Sequence, residues 1–253
     1  MSSMEDRMWT AMKRLLPAEW KASMKRRMFV VQDMRARLAN LKRAGFTPGG
    51  AIDGGAYRGD WSQEFWAVWP EVPVLLVEPQ PDCARGLATV AARVPGSEVV
   101  QVALSDRPGQ VRFRLGESNS AIAGEADGSP SITVETDTLD RLLARRPGFS
   151  PNLLKLDLQG FELHALRGAT SVMDRFEVVV MEVSILRIGE VPILHEVIEF
   201  MEAAGTRLYD VIPQYYRPLD GALWQVDAFF VRRESPLLAS REWGPRDDGP
   251  AGR

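Results

Sequence analysis

Two acidic residues, each at the end of an apolar run, are the groups in this sequence best suited to hold a ligand. Asp53 opens a glycine-rich turn that reaches Gly59, and Glu78 follows the apolar run at residues 74–77. A glycine turn lets a ligand approach backbone N–H groups at a helix N-terminus, and a carboxylate ending the next strand can accept hydrogen bonds from both hydroxyls of a ribose. The pair therefore indicates a site for an adenosine-containing cofactor.

The spacing of the glycines distinguishes between cofactors. A dinucleotide fingerprint needs Gly at relative positions one, three and six, but the sequence has Gly54, Ala56 and Gly59 there, so the glycine that touches the pyrophosphate is missing. The alternative spacing, an acid followed by Gly two and six residues later, is met by Asp53, Gly55 and Gly59. This spacing suits S-adenosylmethionine, whose amine and carboxylate need an acidic acceptor and backbone donors. A plain tight turn stays open as the alternative.

Two further carboxylates are candidates for proton transfer, because Asp157 and Glu182 each follow an apolar run that reads as a buried strand. A positioned base that removes a proton from an alcohol accelerates a reaction by about 10²–10⁴-fold. Asp157 also fits a structural N-cap, and Glu182 also fits an ion-pair partner for a basic residue. Glu162, in the first turn of the following helix, is explained better by the helix dipole than by catalysis.

Aromatic and amide side chains are the candidates for acceptor contacts: Gln159, Tyr215, Tyr216 and Trp224. Aromatic faces with polar neighbours suit sugars or polyketide-type molecules, whereas a hairpin whose aromatics cover the core explains the same residues equally well. The two histidines, His164 and His195, read as ordinary helical residues. One Cys, two distant His and scattered acids give no ligand spacing typical of a metal site, so we expect no metal, and a carboxylate Mg²⁺ site using Asp157 and Glu182 stays open as the alternative.

Apolar runs that read as strands alternate with helical patterns from residue 51 onward. We expect strands near residues 50–53, 74–78, 98–103, 152–157, 177–183, 206–212 and 225–232, and helices near residues 60–69, 81–93, 137–145, 161–174 and 193–204. The alternation predicts an α/β fold with a mostly parallel sheet, helices on both faces, and the site at the carboxyl ends of the strands. Around residues 106–136 a period-two pattern predicts an inserted β excursion.

The chain divides into a helical N-terminal extension at residues 1–46, one catalytic domain at residues 47–235, and a tail at residues 236–253 that we expect to be disordered. The net charge of −3 is uneven, since residues 1–45 contain eleven basic and four acidic residues, for +7, and the remainder carries −10. We favour a solvated helical face packed on an acidic body. Docking to an anionic surface or carrier, or homo-oligomer formation through these helices, stays as the alternative.

Composition narrows the class of protein. With 253 residues and 45% apolar content the chain can bury one large core, and the single Cys83 excludes an intramolecular disulfide. The sequence has no signal-peptide pattern and no apolar run of about 18–20 residues. We therefore expect a cytoplasmic protein with a small-molecule acceptor, no nucleic-acid partner and no membrane span.

A series of motifs resembles the FkbM family of S-adenosylmethionine-dependent methyltransferases. The resemblance covers about residues 48–233, and its motifs occur in this order: Asp53-Gly54-Gly55-Ala56 with Gly59, Val77-Glu78-Pro79, Ala103-Leu104-Ser105-Asp106, the run at 154–162 with Leu166-Arg167-Gly168-Ala169, Met181-Glu182-Val183-Ser184 and the run at 227–232. It implies a Rossmann-like class I methyltransferase fold of seven strands with a reversed final strand. It also implies transfer of a methyl group, commonly to a hydroxyl of a sugar or polyketide-type natural product.

The resemblance implies that the glycine turn binds the methionyl part, Glu78 the ribose, and that Ser105 lies near the adenine. The full set of expected cofactor contacts is Asp53, Gly54, Gly55, Gly59, Glu78, Pro79, Ala103, Leu104, Ser105 and Asp157. Tyr57 departs from the family, in which many members have Asn at this position. Because Asn tolerates left-handed backbone geometry better than Tyr, the ring is expected to alter the cofactor turn.

Two other functions stay open at the level of the sequence. A nicotinamide-dependent oxidoreductase would share the α/β fold but is disfavoured by Ala56. A methyltransferase-like module without catalysis would use the basic N-terminal helices as a contact surface. We expect an O-methyltransferase acting on a small molecule.

Overall fold

The computed structural model describes residues 33–114, 121–122, 131–189 and 191–240 of the chain. The described helices are α1 (Met34–Arg43), α2 (Asp60–Trp66), α3 (Pro81–Ala91), α4 (Leu139–Ala144), α5 (Glu162–Arg167) and α6 (Leu194–Ala203). The strands are β1 (Ala51–Gly54), β2 (Val74–Val77), β3 (Glu98–Val100), β4 (Ala103–Leu104), β5 (Gly109–Arg114), β6 (Ala121–Ile122), β7 (Ser131–Asp137), β8 (Leu153–Leu156), β9 (Val178–Ser184), β10 (Thr206–Tyr216) and β11 (Leu223–Arg232). Short 3-10 helices occupy Met173–Arg175 and Pro236–Leu238.

Seven strands form the main sheet, in the order β10-β11-β9-β8-β1-β2-β3. Neighbouring strands from β9 to β3 are parallel, and β11 runs antiparallel to both β9 and β10. The predicted seven-stranded, mostly parallel sheet with a reversed final strand is therefore confirmed. Because parallel strands end at a common edge, the ends of β1, β2, β8 and β9 meet there.

The short parallel strands are apolar on both faces because each face is covered by a core. One face packs Ile52 and Leu154 against a cluster that includes Leu142 and Met201. The other face packs Leu76 and Leu153 against a cluster that includes the helix α2 side chains. Such continuous apolar runs are typical of strands buried in parallel sheets.

The aromatic residues around α2 belong to the second core. Trp61 stacks on Phe65 with ring centroids 5.3 Å apart, and Phe65 lies 5.1 Å from Trp69. Trp66 and Trp69 are both buried. Packing, rather than stacking on a ligand, therefore explains these tryptophans, as their helical spacing predicts.

The predicted β excursion is present as a second, four-stranded sheet of order β4-β7-β5-β6. The expectation of one strand near residues 98–103 was wrong, because this stretch is divided between the two sheets. The backbone N–H of Glu78 donates to the Val100 carbonyl at 3.0 Å, at the end of β3. After Gln101 and Val102, Ala103 and Leu104 pair in parallel with β7 instead.

Other boundaries differ from the expectation in smaller ways. The helix expected at 161–174 ends at Arg167, and the Gly168 N–H donates to the carbonyls of His164 and Ala165. The 3-10 helix at Pro236–Leu238 extends order beyond residue 235, because the Ser235 hydroxyl accepts the Leu237 N–H at 3.2 Å.

Most of the predicted N-terminal extension and residues 241–253 lie outside the described residues. Homo-oligomer formation through that extension stays a prediction.

None of the helices in the described part of the chain is long and apolar enough to cross a membrane.

Gly168 joins α5 to the second sheet by close contact, and this contact is testable. A Cβ at Gly168 would lie 2.2 Å from the Ser105 carbonyl oxygen, so Gly168→Ala must displace backbone. We expect Gly168→Ala to lower the free energy of unfolding by roughly 1–3 kcal/mol. In contrast, Gly86→Ala, in α3 with nothing within 4 Å, should raise it by about 0.5–1 kcal/mol. Urea unfolding followed by tryptophan fluorescence measures both, and equal midpoints for the two variants would contradict the packing argument.

Candidate active site

A cavity of about 580 Å³ opens at the carboxyl edge of the main sheet, in the size range of pockets that bind small molecules. It receives side chains from the ends of β2, β8, β9 and β11 and from the second sheet. Its lining consists of Gly55, Tyr57, Asp60, Val77, Glu78, Pro79, Gln80, Val102, Ala103, Leu104, Phe113, Asp157, Leu158, Gln159, Phe161, Glu182, Tyr215, Trp224 and Gln225. The structure thus brings together predicted site residues from seven separate segments of the sequence.

The turn after β1 depends on glycine at one position above all. Gly55 has φ +75, and a Cβ there would lie 2.0 Å from the Asp157 carbonyl oxygen. The N–H groups of Gly55 and Ala56 both donate to the Val77 carbonyl, at 2.9 and 3.1 Å. The turn is therefore pressed against the ends of β2 and β8, and only glycine fits between them.

Glu78 connects this turn to the one after β2. Its Oε2 accepts the Tyr57 N–H at 2.8 Å, and its Oε1 accepts the Gln80 N–H at 3.0 Å. Burial raises the pKa of Glu78, whereas the two backbone hydrogen bonds oppose that rise. Each carboxylate oxygen keeps further acceptor capacity toward the cavity, because an ionised carboxylate offers about four lone-pair sites.

Asp53 lies beneath the glycine turn. Its side chain is fully enclosed and is not among the residues that line the cavity. The Ser62 hydroxyl donates to its Oδ2 at 2.7 Å, and its Oδ1 lies 3.3 Å from the Lys155 ammonium. These contacts support the turn, and the direct ligand contact of Asp53 stays a prediction.

Three more expected cofactor residues lie outside the lining. A Cβ at Gly54 would lie 2.8 Å from a Leu104 methyl group, so Gly54 serves strand packing. Gly59 has φ +78 and is the N-cap of α2. The Ser105 hydroxyl donates to Asp106 at 3.3 Å, and the Ser105 N–H donates to the Asp137 carbonyl at 3.0 Å. Gly54, Gly59 and Ser105 are therefore not among the lining residues, and the cofactor contacts expected of them stay predictions.

An apolar wall faces Glu78 across the cavity. Val102, Ala103 and Leu104 form part of it, and Phe113 reaches it from β5 of the second sheet. An adenine ring needs such a flat apolar surface. Phe113 was not among the predicted site residues, although the period-two pattern of its strand places alternate side chains on one face.

The opposite end of the cavity holds the two predicted catalytic acids, joined by amides. The Gln159 amide nitrogen donates to Asp157 Oδ1 at 2.8 Å and to Glu182 Oε1 at 3.2 Å. The Gln225 amide nitrogen donates to the same Glu182 oxygen at 2.9 Å. Gln225 was missed as a site residue, and its only signal in the sequence is its place beside Trp224 on a strand that ends in the site.

Burial and neighbouring carboxylates raise the pKa values of acids at this part of the site. Asp227 lies directly opposite Glu182 on β11, and burial raises its pKa to about 6. Burial, together with the negative charges of Asp157 and Asp227, raises the pKa of Glu182 to about 8. A carboxylate with such a pKa exists in both protonation states near neutral pH, which is the property of an effective general base.

Lys155 is the cation of this network. Its ammonium lies 3.3 Å from Asp53 Oδ1 and 3.5 Å from Asp157 Oδ2. Burial alone lowers the pKa of a lysine, but the carboxylates of Asp53, Asp157 and Asp227 outweigh burial and hold the pKa of Lys155 above its usual range. Lys155 therefore stays charged and forms ion pairs with carboxylates at the ends of β1 and β8.

Glu162 organises the loop that carries Gln159. Its Oε1 accepts the N–H groups of Leu158 and Gly160 at 2.7 and 3.2 Å. Burial raises the pKa of Glu162 to about 7 despite these bonds. Gln159 itself has φ +54, a left-handed conformation that is uncommon for a residue other than glycine. Glu162 thus acts as a structural residue, as its position in the first turn of α5 suggests.

Among the predicted acceptor residues, Gln159, Tyr215 and Trp224 line the cavity and Tyr216 does not. Neither histidine lines the cavity, and within the described ranges no three His, Cys, Asp or Glu residues form a group that could hold a metal ion.

The observed residues fit S-adenosylmethionine in chemistry and size. Glu78 offers acceptors for ribose hydroxyls, the wall around Phe113 offers an apolar surface for a base, and the cavity has room for the molecule. The sheet order, the reversed β11 and the site at the ends of β1 and β2 define a class I methyltransferase fold.

Comparison with known proteins narrows the class to a family. Residues 53–208, more than half of the chain, match the methyltransferase FkbM domain. The chain belongs to the FkbM methyltransferase family, which confirms the resemblance stated from its motifs and disfavours the nicotinamide-dependent alternative.

The individual relatives are distant. A hexuronic acid methyltransferase, AglP, from Haloferax volcanii is 27% identical over 111 residues, which are 44% of this chain and 46% of AglP. The crystal structure of an FkbM methyltransferase from Methylobacillus flagellatus is 15% identical with a TM-score of 0.46, covering 71% of this chain and 43% of that one. A precorrin-6y C5,15-methyltransferase from Geobacter metallireducens is 14% identical with a TM-score of 0.43, covering 81% and 91% of the two chains. The chain thus spans less than half the length of the first two.

The backbone at Tyr57 carries the strain that the sequence predicts, because its φ is +46. Left-handed geometry costs an ordinary L-residue roughly 1–2 kcal/mol, and Asn tolerates it better. We expect Tyr57→Asn to raise the free energy of unfolding by about 0.5–1 kcal/mol. The matched control is Tyr216→Asn, on an exposed strand position, which should lower stability slightly. Thermal unfolding of both variants tests this, and destabilisation by Tyr57→Asn equal to that of the control would contradict it.

Proposed function

We propose that this protein transfers the methyl group of S-adenosylmethionine to a hydroxyl oxygen of a small molecule, with a sugar as the favoured acceptor class. The observation that carries the proposal is that Glu78, directly after β2, and Glu182, on β9, line one cavity with β1 and β8 between them. Glu78 suits a ribose, and Glu182 suits an alcohol that must lose a proton. The distant relationship to a hexuronic acid methyltransferase supports a sugar acceptor.

The cofactor end of the cavity works by positioning. Two backbone N–H groups fix the orientation of the Glu78 carboxylate. The side chain therefore loses little conformational freedom when ribose hydroxyls bind. When bound, the cofactor supplies an activated methyl group on a sulfonium. Orientation of the acceptor oxygen in line with that group then accounts for much of the acceleration, since effective molarities of about 10⁵–10⁸ M are known for well-oriented reactions.

The acceptor end provides the proton chemistry. Glu182 in its ionised form takes the hydroxyl proton onto a carboxylate oxygen, while the hydroxyl oxygen gains its bond to the methyl carbon and the bond from that carbon to sulfur breaks. The Gln159 and Gln225 amides hold that carboxylate in place, and Asp157 lies within reach of the same Gln159 amide. Asp157 is the alternative base, since it also lines the cavity.

Calorimetric titration with S-adenosylmethionine and S-adenosylhomocysteine tests the proposal as a whole. We expect both to bind with heat at the cavity that Glu78 and Glu182 line. Absence of binding by either molecule to folded protein would reject the methyltransferase function, and binding without turnover of any acceptor would favour the alternative of a module without catalysis.

The ribose contact of Glu78 predicts a specific loss. Glu78→Gln replaces one acceptor oxygen by a donor, and we expect the affinity for S-adenosylhomocysteine to fall by about 10–100-fold, since hydrogen bonds to charged groups contribute about 1.5–3 kcal/mol. An analogue lacking a ribose hydroxyl separates contact from structure. The unsubstituted protein should lose affinity for that analogue, whereas Glu78→Gln should bind both forms nearly equally. The assignment fails if the variant still discriminates between them as strongly.

The raised pKa of Glu182 predicts the pH dependence of the reaction. Below a pKa of about 8 the carboxyl is protonated and cannot accept a proton, so kcat/KM should rise with pH until that pKa is passed. Glu182→Gln should lower kcat by about 10²–10⁴-fold and remove this rise, whereas Glu199→Gln, an exposed glutamate outside the cavity, should leave the profile unchanged. A pH profile that keeps its rising limb in Glu182→Gln would assign the base to another group.

A further inference from the structure

The acidic and basic side chains that line the described cavity wall are all carboxyl groups. Asp60, Glu78, Asp157 and Glu182 line it, and no Lys, Arg or His is found among the described lining residues. Carboxylate ligands in proteins are normally matched by Arg or Lys, because a fork of N–H donors satisfies both oxygens. The described wall contains no such group.

The buried cation beside these acids does not change this balance. Lys155 is buried beneath the cavity floor, and its ammonium lies within ion-pair distance of Asp53 and Asp157. Asp227 adds a further carboxyl group behind Glu182. One ammonium therefore faces more than one carboxylate before any ligand is bound.

A bound sulfonium cofactor adds only one net positive charge, because its amine and carboxylate cancel. That charge does not offset the carboxylates of the wall.

The uncharged polar groups at the acceptor end suit hydroxyls. The Gln159 and Gln225 amides carry both donors and acceptors, and the Trp224 indole N–H is buried with no hydrogen-bond partner among the described residues. The Tyr215 and Trp224 rings supply faces on which a sugar ring can lie. Neutral hydroxyls can satisfy these groups without bringing a negative charge to Glu182.

We propose that the site selects its acceptor by charge, accepting neutral or amine-bearing sugars and rejecting uronic acids. The inference rests on the proposed function and refines its substrate class. It also separates this chain from its relative AglP, a hexuronic acid methyltransferase. A carboxylate placed in the cavity would be repelled at close range by Asp157, and by Glu182 in the ionised form that acts as the base, in a medium of reduced dielectric constant.

The experiment compares acceptors that differ in charge alone. Panels of nitrophenyl glycosides based on glucose, galactose and mannose would each include the neutral sugar, the amino sugar and the uronic acid, with transfer from methyl-labelled cofactor measured by mass spectrometry. We expect kcat/KM for neutral and amino sugars to exceed that for the matched uronic acid by at least about tenfold. Equal or preferred use of uronic acids would overturn the inference. Cofactor binding with no methylated glycoside in any panel would also overturn it, whereas failure to bind the cofactor would reject the proposed function itself.

A pair of neighbouring substitutions tests whether cavity charge is the cause. Tyr215→Arg places a cation at a position that lines the cavity, and Tyr216→Arg places one at an adjacent exposed position that does not. We expect Tyr215→Arg to raise the ratio of uronic acid to neutral sugar turnover by about tenfold and Tyr216→Arg to leave it nearly unchanged. The same ratio in both variants would show that cavity charge does not select the acceptor.

Discussion

The buried ammonium of Lys155 is the interaction on which the rest of the site depends. It lies between the Asp53 and Asp157 carboxylates and so joins the end of β1 to the end of β8. These are the two strands whose following turns press together at Gly55. Removing one member of a buried ion pair typically costs about 3–5 kcal/mol, because the remaining charge has no partner. One buried cation therefore links the glycine turn, through Asp53, to the cavity wall, through Asp157.

The two ends of the cavity use their carboxylates in opposite ways. Glu78 is held by two backbone N–H groups that oppose the effect of burial on its pKa, which suits a permanent hydrogen-bond acceptor. Glu182 is held by side-chain amides and faces other acids, and its pKa is raised to about 8, which suits a group that gains and loses a proton. The difference follows from the neighbours that each strand end meets.

Some of the site could be predicted from local pattern, and some could not. Glu78, Asp157 and Glu182 were found because each follows an apolar run, and parallel strands bring their carboxyl ends to one edge. Asp53 satisfied the same rule but is enclosed, because Ser62 and Lys155 cover its carboxylate. Phe113 and Gln225 were missed because one enters from an inserted sheet and the other from the reversed strand. The spacing of residues along the sequence does not predict either placement.

The sequence by itself determined the element order, the glycine turn and the acids at the strand ends, because these depend on short-range periodicity and on backbone geometry that few residues tolerate. Tyr57 differs from these features, since left-handed geometry at this position was suggested by the family resemblance, and its φ is +46. Only the tertiary structure decided which acids reach the cavity and what their pKa values are. Burial and the distance between charges depend on strand order and crossing elements, which bring together residues as far apart along the chain as Asp53 and Asp227.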